Sequence, residues 1–421
     1  MLNKFKKFFK DKNKKRLIEN IFSLGILQTA NYLLPLITLP YLVRVLGTEK
    51  FGIIIFAQAF VAYFGILVNY GFDLSATREI SINRENSKKV SEIFNSVFGV
   101  KLLLVLISFI LISIIIFSFE KFREEWFIYY FTFGTVLGSA LFPVWFFQGM
   151  EQMRYITFLN ITAKLIFTIS IFVFIHESSD YVYVPIINSF GYITAGIFAL
   201  YIVLKNFSIK FTIPNFEQIK YQLKEGWHIF LVSLQTNILS SSGIFILGLF
   251  QPKEIVGVYG AIEKISRAVI MLFSPVRQAL YPHISAKLKK SKIEGINFIK
   301  KVGFLVSVLV FFVCLILAIF SGNIINILFG EELVKYAIIL QILSIYIFLS
   351  NLNNFIGVQY LLGLGHNEIY SKAFTLASVF SLILYFSLTP FYSFYGIIFG
   401  MLIGELVLSF YMFFLIKKYS L

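Results

Sequence analysis

Apolar runs of about twenty residues, separated by short gaps, fill this 421-residue chain from one end to the other. Twelve runs stand out: 20–43, 51–72, 94–118, 126–148, 156–175, 181–204, 227–250, 256–279, 302–321, 336–361, 371–389 and 394–416. Each is long enough to cross the hydrocarbon core of a bilayer as a helix. No gap is long enough to hold a soluble domain. Only 14% of the residues are charged and 58% are hydrophobic, against roughly 25% charged in soluble proteins. In lipid the backbone has to satisfy its own hydrogen bonds, so runs of this length predict helices. The expected fold class is an all-α polytopic membrane protein with twelve transmembrane helices.

The formal net charge of +15 does not point to nucleic acid, because the Lys and Arg residues gather in the gaps between runs. With the N-terminus placed in the cytoplasm, inside segments carry 26 Lys/Arg and outside loops six. That asymmetry predicts both termini cytoplasmic and an even number of spans. Residues 1–19 form a basic head in which Phe5, Phe8 and Phe9 are placed to dip into the membrane interface. The first run is too long for a signal-peptide core and is expected to remain as an uncleaved span.

Two pairs of segments are alike at shifts near half the chain length. "GTEKFGIIIFAQAF" sets Gly52 against Gly257 in "QPKEIVGVYGAIEK", and "FFQGMEQMRYI" sets Gly149 against Gly363 in "YLLGLGHNEIY". They predict two six-helix bundles related by a pseudo-twofold repeat: residues 20–204 and 227–421, joined by a cytoplasmic linker at 205–226. Pro35 and Pro40 in the first run match Ser240–Gly243 in the seventh, where the helices are expected to be interrupted.

Charges inside the runs are the candidate site. In the eighth run Arg267, Ser274 and Arg277 each project within about 40° of Glu263 at 100° per residue, forming a polar stripe. Lys264 stands beside it. Such a stripe faces a neighbouring helix or a watery cavity. One reading is a structural Glu263–Arg267 pair with Arg277 reaching the cytoplasmic surface. The other is a cationic wall that attracts an anionic head group, since one carboxylate faces three cations. Lys101 and Lys164 lie inside the third and fifth runs; Arg44, Arg78 and Asp73 flank the ends of the first two. Glu405, mid-way along the last run, is a candidate proton carrier or a member of a structural pair. The polar Asn31, Gln58, Asn69, Gln148, Asn237 and Asn354 serve either a polar lumen or helix–helix contact.

No P-loop, His-Glu-x-x-His motif, zinc spacing or nucleophile elbow is present. Cys314 is the single cysteine and reads as a small core residue. No cofactor or metal is called for. Uphill work would have to draw on an ion gradient or the substrate's own gradient.

Six segments, "LPYLVRVLGTEKFG" (39–52), "YGFDLSATREI" (70–80), "WFFQGMEQMRYI" (145–156), "VYGAIEKISRAV" (258–269), "SPVRQALYPHIS" (274–285) and "LGLGHNEIYSKA" (362–373), resemble in order and spacing the polysaccharide-biosynthesis branch of the multidrug/oligosaccharidyl-lipid/polysaccharide exporter superfamily. The nearest type is the O-antigen (Wzx-type) flippase. The resemblance implies a bacterial inner-membrane protein with a cationic cleft. It implies movement of an undecaprenyl-pyrophosphate-linked oligosaccharide, an O-antigen or capsule repeat unit, from the cytoplasmic to the periplasmic face by alternating access. A polysaccharide polymerase and a chain-length regulator are the partners such a role implies. The alternative is a multidrug-type small-molecule or cation exporter driven by an ion gradient, which calls for acidic rather than basic excess. An enzyme is not expected, because the outer loops are too short to carry a reaction site.

Overall fold

The computed structural model describes residues 12–207 and 209–419. The head segment 1–11, with Phe5, Phe8 and Phe9, lies outside the described residues. No strand occurs among the described residues. Nine stretches of them are long and apolar enough to cross a membrane. The first, Gly25–Ile82, runs 58 residues, about 87 Å if straight, which is more than twice the hydrocarbon thickness. This is a multi-pass, all-α membrane protein. The chain divides into two compact units. One takes the described residues up to Thr38 together with Ala57–Ile238; the other takes Leu39–Phe56 and the described residues from Leu239 onward.

The first unit holds most of α1 (Lys12–Asn69), then α2 (Phe72–Ile82), α3 (Ser87–Ser118), α4 (Glu120–Arg123), α5 (Trp126–Leu141), α6 (Val144–Gly149), α7 (Met153–Phe174), α8 (Tyr183–Asn206) and the start of α9 (Phe216–Phe250). The sequence of α3 shows how lipid sorts these helices. Asn86 caps its first turn, accepting from the Lys89 amide at 3.1 Å. Val90, Ile93, Val97, Val100, Lys101, Leu104, Ser108 and Ile112 recur at helical spacing and are buried. Leu106, Ile110, Ile114 and Phe117 on the other face are half or more exposed, which is tolerable where lipid is the solvent. Small residues bring α5 and α8 together: a Cβ on Gly138 would lie 2.4 Å from the Tyr192 carbonyl carbon, and one on Gly196 would lie 2.7 Å from the Gly138 oxygen.

The expected interruption at Pro35 and Pro40 is absent. The one non-helical residue inside α1 is Gly47, at φ 74° and ψ 166°. Membrane helices tolerate proline; the hydroxyl of Thr38, between the two, donates to the Leu34 and Pro35 carbonyls at 3.4 and 3.3 Å, neither of which is a carbonyl that the prolines deprive of a donor. The backbone of α9 likewise runs helical through Ser240–Gly243.

The second unit continues with α10 (Lys253–Leu272), α11 (Ser274–Lys290), α12 (Lys292–Ile319), α13 (Ser321–Phe329), α14 (Ala337–Asn354), a π-helical segment Phe355–Leu362, α15 (Asn367–Tyr392) and α16 (Phe394–Lys418). Its tightest crossing joins the Leu39–Phe56 segment to α10. A Cβ on Gly52 would lie 1.8 Å from the Lys253 oxygen, and one on Gly257 would lie 1.9 Å from the Thr48 oxygen. The contact is reciprocal, and both partners differ by the same 205 positions, Gly52 to Gly257 and Thr48 to Lys253. Only a residue without a side chain fits at either position.

Substituting Gly257 with valine forces two backbones apart. We expect Gly257→Val to lower the thermal midpoint of the detergent-solubilised protein, with a cost of roughly 1–3 kcal/mol or more. Gly25→Val, where nothing lies within 4 Å of the added Cβ, is expected to leave the midpoint in place. Thermal unfolding followed by size-exclusion profile checks both, and equal midpoints would contradict the close crossing.

Candidate functional site

The charged run predicted as one span over 256–279 is two helices. α10 ends at Leu272 and α11 begins at Ser274, with Phe273 between them. Pro275, in the first turn of α11, is the cause: it has no N–H to offer the Met271 carbonyl, and its ring crowds that position. Arg277 fastens the break. Its guanidinium donates to the Ile270 carbonyl at 3.0 Å, so its side chain turns back toward α10. Gln359 of the π-helical segment, 1% exposed, donates to the Arg277 carbonyl at 3.1 Å. Angles projected through 273 for a single straight helix therefore do not describe Arg277.

On α10 itself, Glu263 is 4% exposed and its carboxylate accepts from Arg267 Nε one turn on. The order, carboxylate before guanidinium at i, i+4, is the favourable one for a helix. Arg267 keeps 40% of its side chain exposed, so the pair is buried at one end and open at the other. Lys264 is half-buried, with its ammonium 5.7 Å from the centre of the Phe51 ring, a cation–π contact. Tyr259, 1% exposed, lies within electrostatic range of Glu263, Arg267, Tyr346 and Tyr385. Tyr346 in turn lies within range of Glu405 as well as Glu263 and Arg267. A continuous polar cluster thus runs inside the second unit from α10 to α16.

Glu405 has an amide and a hydroxyl as partners. Asn353 Nδ2 donates to its carboxylate at 2.6 Å and to its backbone carbonyl at 2.8 Å, and Ser350 adds a side-chain bond. Ser409 holds Asn353 in place, donating to its Oδ1 at 2.6 Å. No cation lies within salt-bridge distance of Glu405 among the described residues.

The remaining predicted residues are placed as follows. Arg44 is exposed, and its guanidinium donates to the Leu328 and Asn326 carbonyls at 3.0 and 3.3 Å. It thereby caps the C-terminus of α13, where a cation is favoured by the helix dipole. Lys101 is 2% exposed and donates to Asn69 at 3.2 Å, with Asp73 in electrostatic range. Lys164 is half-buried on α7 and makes no hydrogen bond or ion pair among the described residues. Arg78 and Asp73 are exposed on α2. Among the described residues no group of three or more His, Cys, Asp or Glu is arranged to hold a metal.

Sequence reasoning passed over Tyr259, Tyr346 and Tyr385, which surround the ion pair, and Gln359, which ties the π-helical segment to the break. Tyr259 sits four residues before Glu263 and was open to discovery by spacing. The others come from distant runs and carry no local signal.

The family described as "Polysaccharide biosynthesis protein" matches residues 17–288. A protein of Escherichia coli (strain K12) named "Putative O-antigen transporter" is 32% identical over 397 residues, covering 94% of this chain and 96% of its own length. Among solved structures, the lipid II flippase MurJ in an inward closed conformation superposes with a TM-score of 0.68 at 14% identity, over 95% of this chain and 87% of that one. An inward-facing multidrug resistance transporter of the MATE family gives 0.65 at 16% identity, over 95% and 97%. At such identities the structural likeness establishes the fold. Together with the matched sequence from 17 to 288, these findings identify the chain as a member of the polysaccharide biosynthesis protein family.

Proposed function

We propose that the protein is a flippase for an undecaprenyl-pyrophosphate-linked oligosaccharide, an O-antigen or capsule repeat unit, which it carries from the cytoplasmic to the periplasmic face of the bacterial inner membrane by alternating access. The observation that carries this reading is the surplus of cations at α10 and its break. Glu263 is one carboxylate; Lys264, Arg267 and Arg277 are three cations. An ion pair accounts for one of them. Charges at such depth cost roughly 2.5–3.5 kcal/mol each on insertion scales, so a surplus calls for a function. A pyrophosphate is a fitting ligand, because a guanidinium binds its oxygens in a planar fork and an ammonium adds point charge. Glu263 orients Arg267 in this scheme and Lys264 supplies further positive charge.

The name of the Escherichia coli relative and the fold shared with a lipid II flippase support the reading. The excess of Lys and Arg in alternate loops supports cytoplasmic termini and an even number of spans, and the reciprocal Gly52–Gly257 crossing supports a repeat. A polymerase and a chain-length regulator that consume the carried unit are the partners this role requires. Glu405, held by an amide and a hydroxyl that bind either protonation state, is suited to couple transport to a proton gradient. The second reading, a multidrug-type exporter, draws on the MATE-like fold; its mark would be efflux of cationic dyes from whole cells.

Two outcomes follow. In a cell deleted for its own flippase, the double variant Lys264→Ala/Arg267→Ala is expected to lower surface-polysaccharide display by more than tenfold when compared at matched amounts of membrane-inserted protein, since Arg267 also pairs with the buried Glu263. Arg267→Lys should keep part of it, since it preserves charge and loses the fork. Unimpaired display in the double variant would remove the cationic path. Glu405→Gln, isosteric and able to keep its Asn353 and Ser350 partners, is expected to leave the protein folded and to make transport into everted vesicles insensitive to a proton uncoupler. Transport that still collapses with the gradient would assign coupling elsewhere.

A further inference from the structure

A cavity lies wholly within the first unit. Between α2, the first turns of α3 and the first turns of α9 is a cavity of about 890 Å³, within the ~300–1,000 Å³ usual for small-ligand sites. Its charged lining is Arg78 and Lys89 against Glu79, Glu92, Glu217 and Glu225. The acidic excess is opposite in sign to the surplus on α10, so this cavity disfavours a pyrophosphate. Tyr221 stands among these groups, half-exposed, with Glu79 and Glu225 in electrostatic range. Partial burial, then those two carboxylates, raise its phenol above the ordinary range, so it remains an O–H donor beside an open ring face.

The walls are held before any ligand arrives. Asn215 and Gln218 exchange bonds at 2.9 Å each and fix the start of α9. Asn95 donates to the Lys210 carbonyl at 2.8 Å and to Thr212 at 2.9 Å, tying the preceding segment onto α3. A Cβ on Gly71 would lie 2.6 Å from Ile229, and one on Gly226 would lie 2.9 Å from the Tyr70 oxygen. Gln222, 2% exposed, donates to Glu79 at 2.9 Å, and its own amide oxygen has no donor among the described residues. A buried amide left half-satisfied costs about 1–3 kcal/mol and marks the polar wall as built for something other than packing.

We infer that this cavity is a saccharide subsite, which takes a hydroxyl-rich sugar unit, uncharged or amine-bearing, of the carried glycan. Carboxylate and amide oxygens accept from several hydroxyls at once, an amine adds charge complementarity, and the Tyr221 ring offers a face for the apolar side of a pyranose. The assignment rests on the lipid-linked glycan as cargo, and it divides recognition: sugar at α2/α9, pyrophosphate at α10.

The test uses the full chain in lipid nanodiscs and saturation-transfer NMR with glucose, galactose and N-acetylglucosamine as free probes. At least one probe should bind, at least tenfold more weakly to Tyr221→Ala and to the conservative Glu225→Gln, and as strongly to Lys335→Ala, an exposed residue of the second unit. Inorganic pyrophosphate should not displace it. Binding by none of the probes, or binding that both cavity variants keep in full, overturns the subsite even if the protein supports polysaccharide display. Cavity-dependent sugar binding in a protein that fails to support display upholds the subsite and removes the flippase reading instead.

Discussion

Glu263 and Arg267 meet one turn apart on a helix that is otherwise apolar enough to belong in lipid. A carboxylate 4% exposed and left alone at that depth would cost several kcal/mol, and removing one partner of a buried pair is typically worse than never having had it. The pair makes α10 admissible inside the unit. It does so without cancelling the local charge, because Lys264 lies on the next position and Arg277 just past the break. The crossing at Gly52 and Gly257 then brings the Leu39–Phe56 segment against the same helix, with Phe51 placed beneath the Lys264 ammonium. Ion pair, glycine crossing and cation–π contact are one local construction, and the polar cluster leading to Glu405 is built upon it.

The break at Phe273 gives that construction an end. A proline in the first turn of α11 denies the Met271 carbonyl its usual donor, and Arg277 binds the neighbouring Ile270 carbonyl. The facing segment, Phe355–Leu362, is π-helical, a form that places side chains out of α-helical register and recurs at functional sites. Gln359 from that segment binds the Arg277 carbonyl. Two irregular backbones therefore meet where the cations lie, which suits a site that has to hold a charged group and release it.

What the sequence showed was what is local along it. Twenty apolar residues in a row declare a span because hydrophobicity needs no distant partner, and Glu263–Arg267 declared itself through four-residue spacing. The match of Gly52 to Gly257 was legible as a repeated segment; that the two residues touch was not. Pro35 and Pro40 misled, because a membrane helix can run on through a proline, and composition does not report where it does. The capping role of Arg44 was invisible for a simpler reason: its carbonyl partners, Asn326 to Leu328, lie more than 280 positions away. The acidic cavity was hidden inside loops whose Lys and Arg content drew the eye, with its carboxylates scattered from Glu79 to Glu225.

On the proposed reading, the surplus cations of α10 border a watery space that an anionic pyrophosphate can enter. The chain's one cysteine, Cys314, is buried and replaceable by alanine, so a single thiol can be set at Ala268, one turn from Lys264. Labelling by a membrane-impermeant methanethiosulfonate, in vesicles with and without pyrophosphate, reads that space directly. The thiol is expected to react readily and to be protected when pyrophosphate is present. A thiol inert to the reagent on both sides of the membrane would place this face of α10 against acyl chains and contradict it.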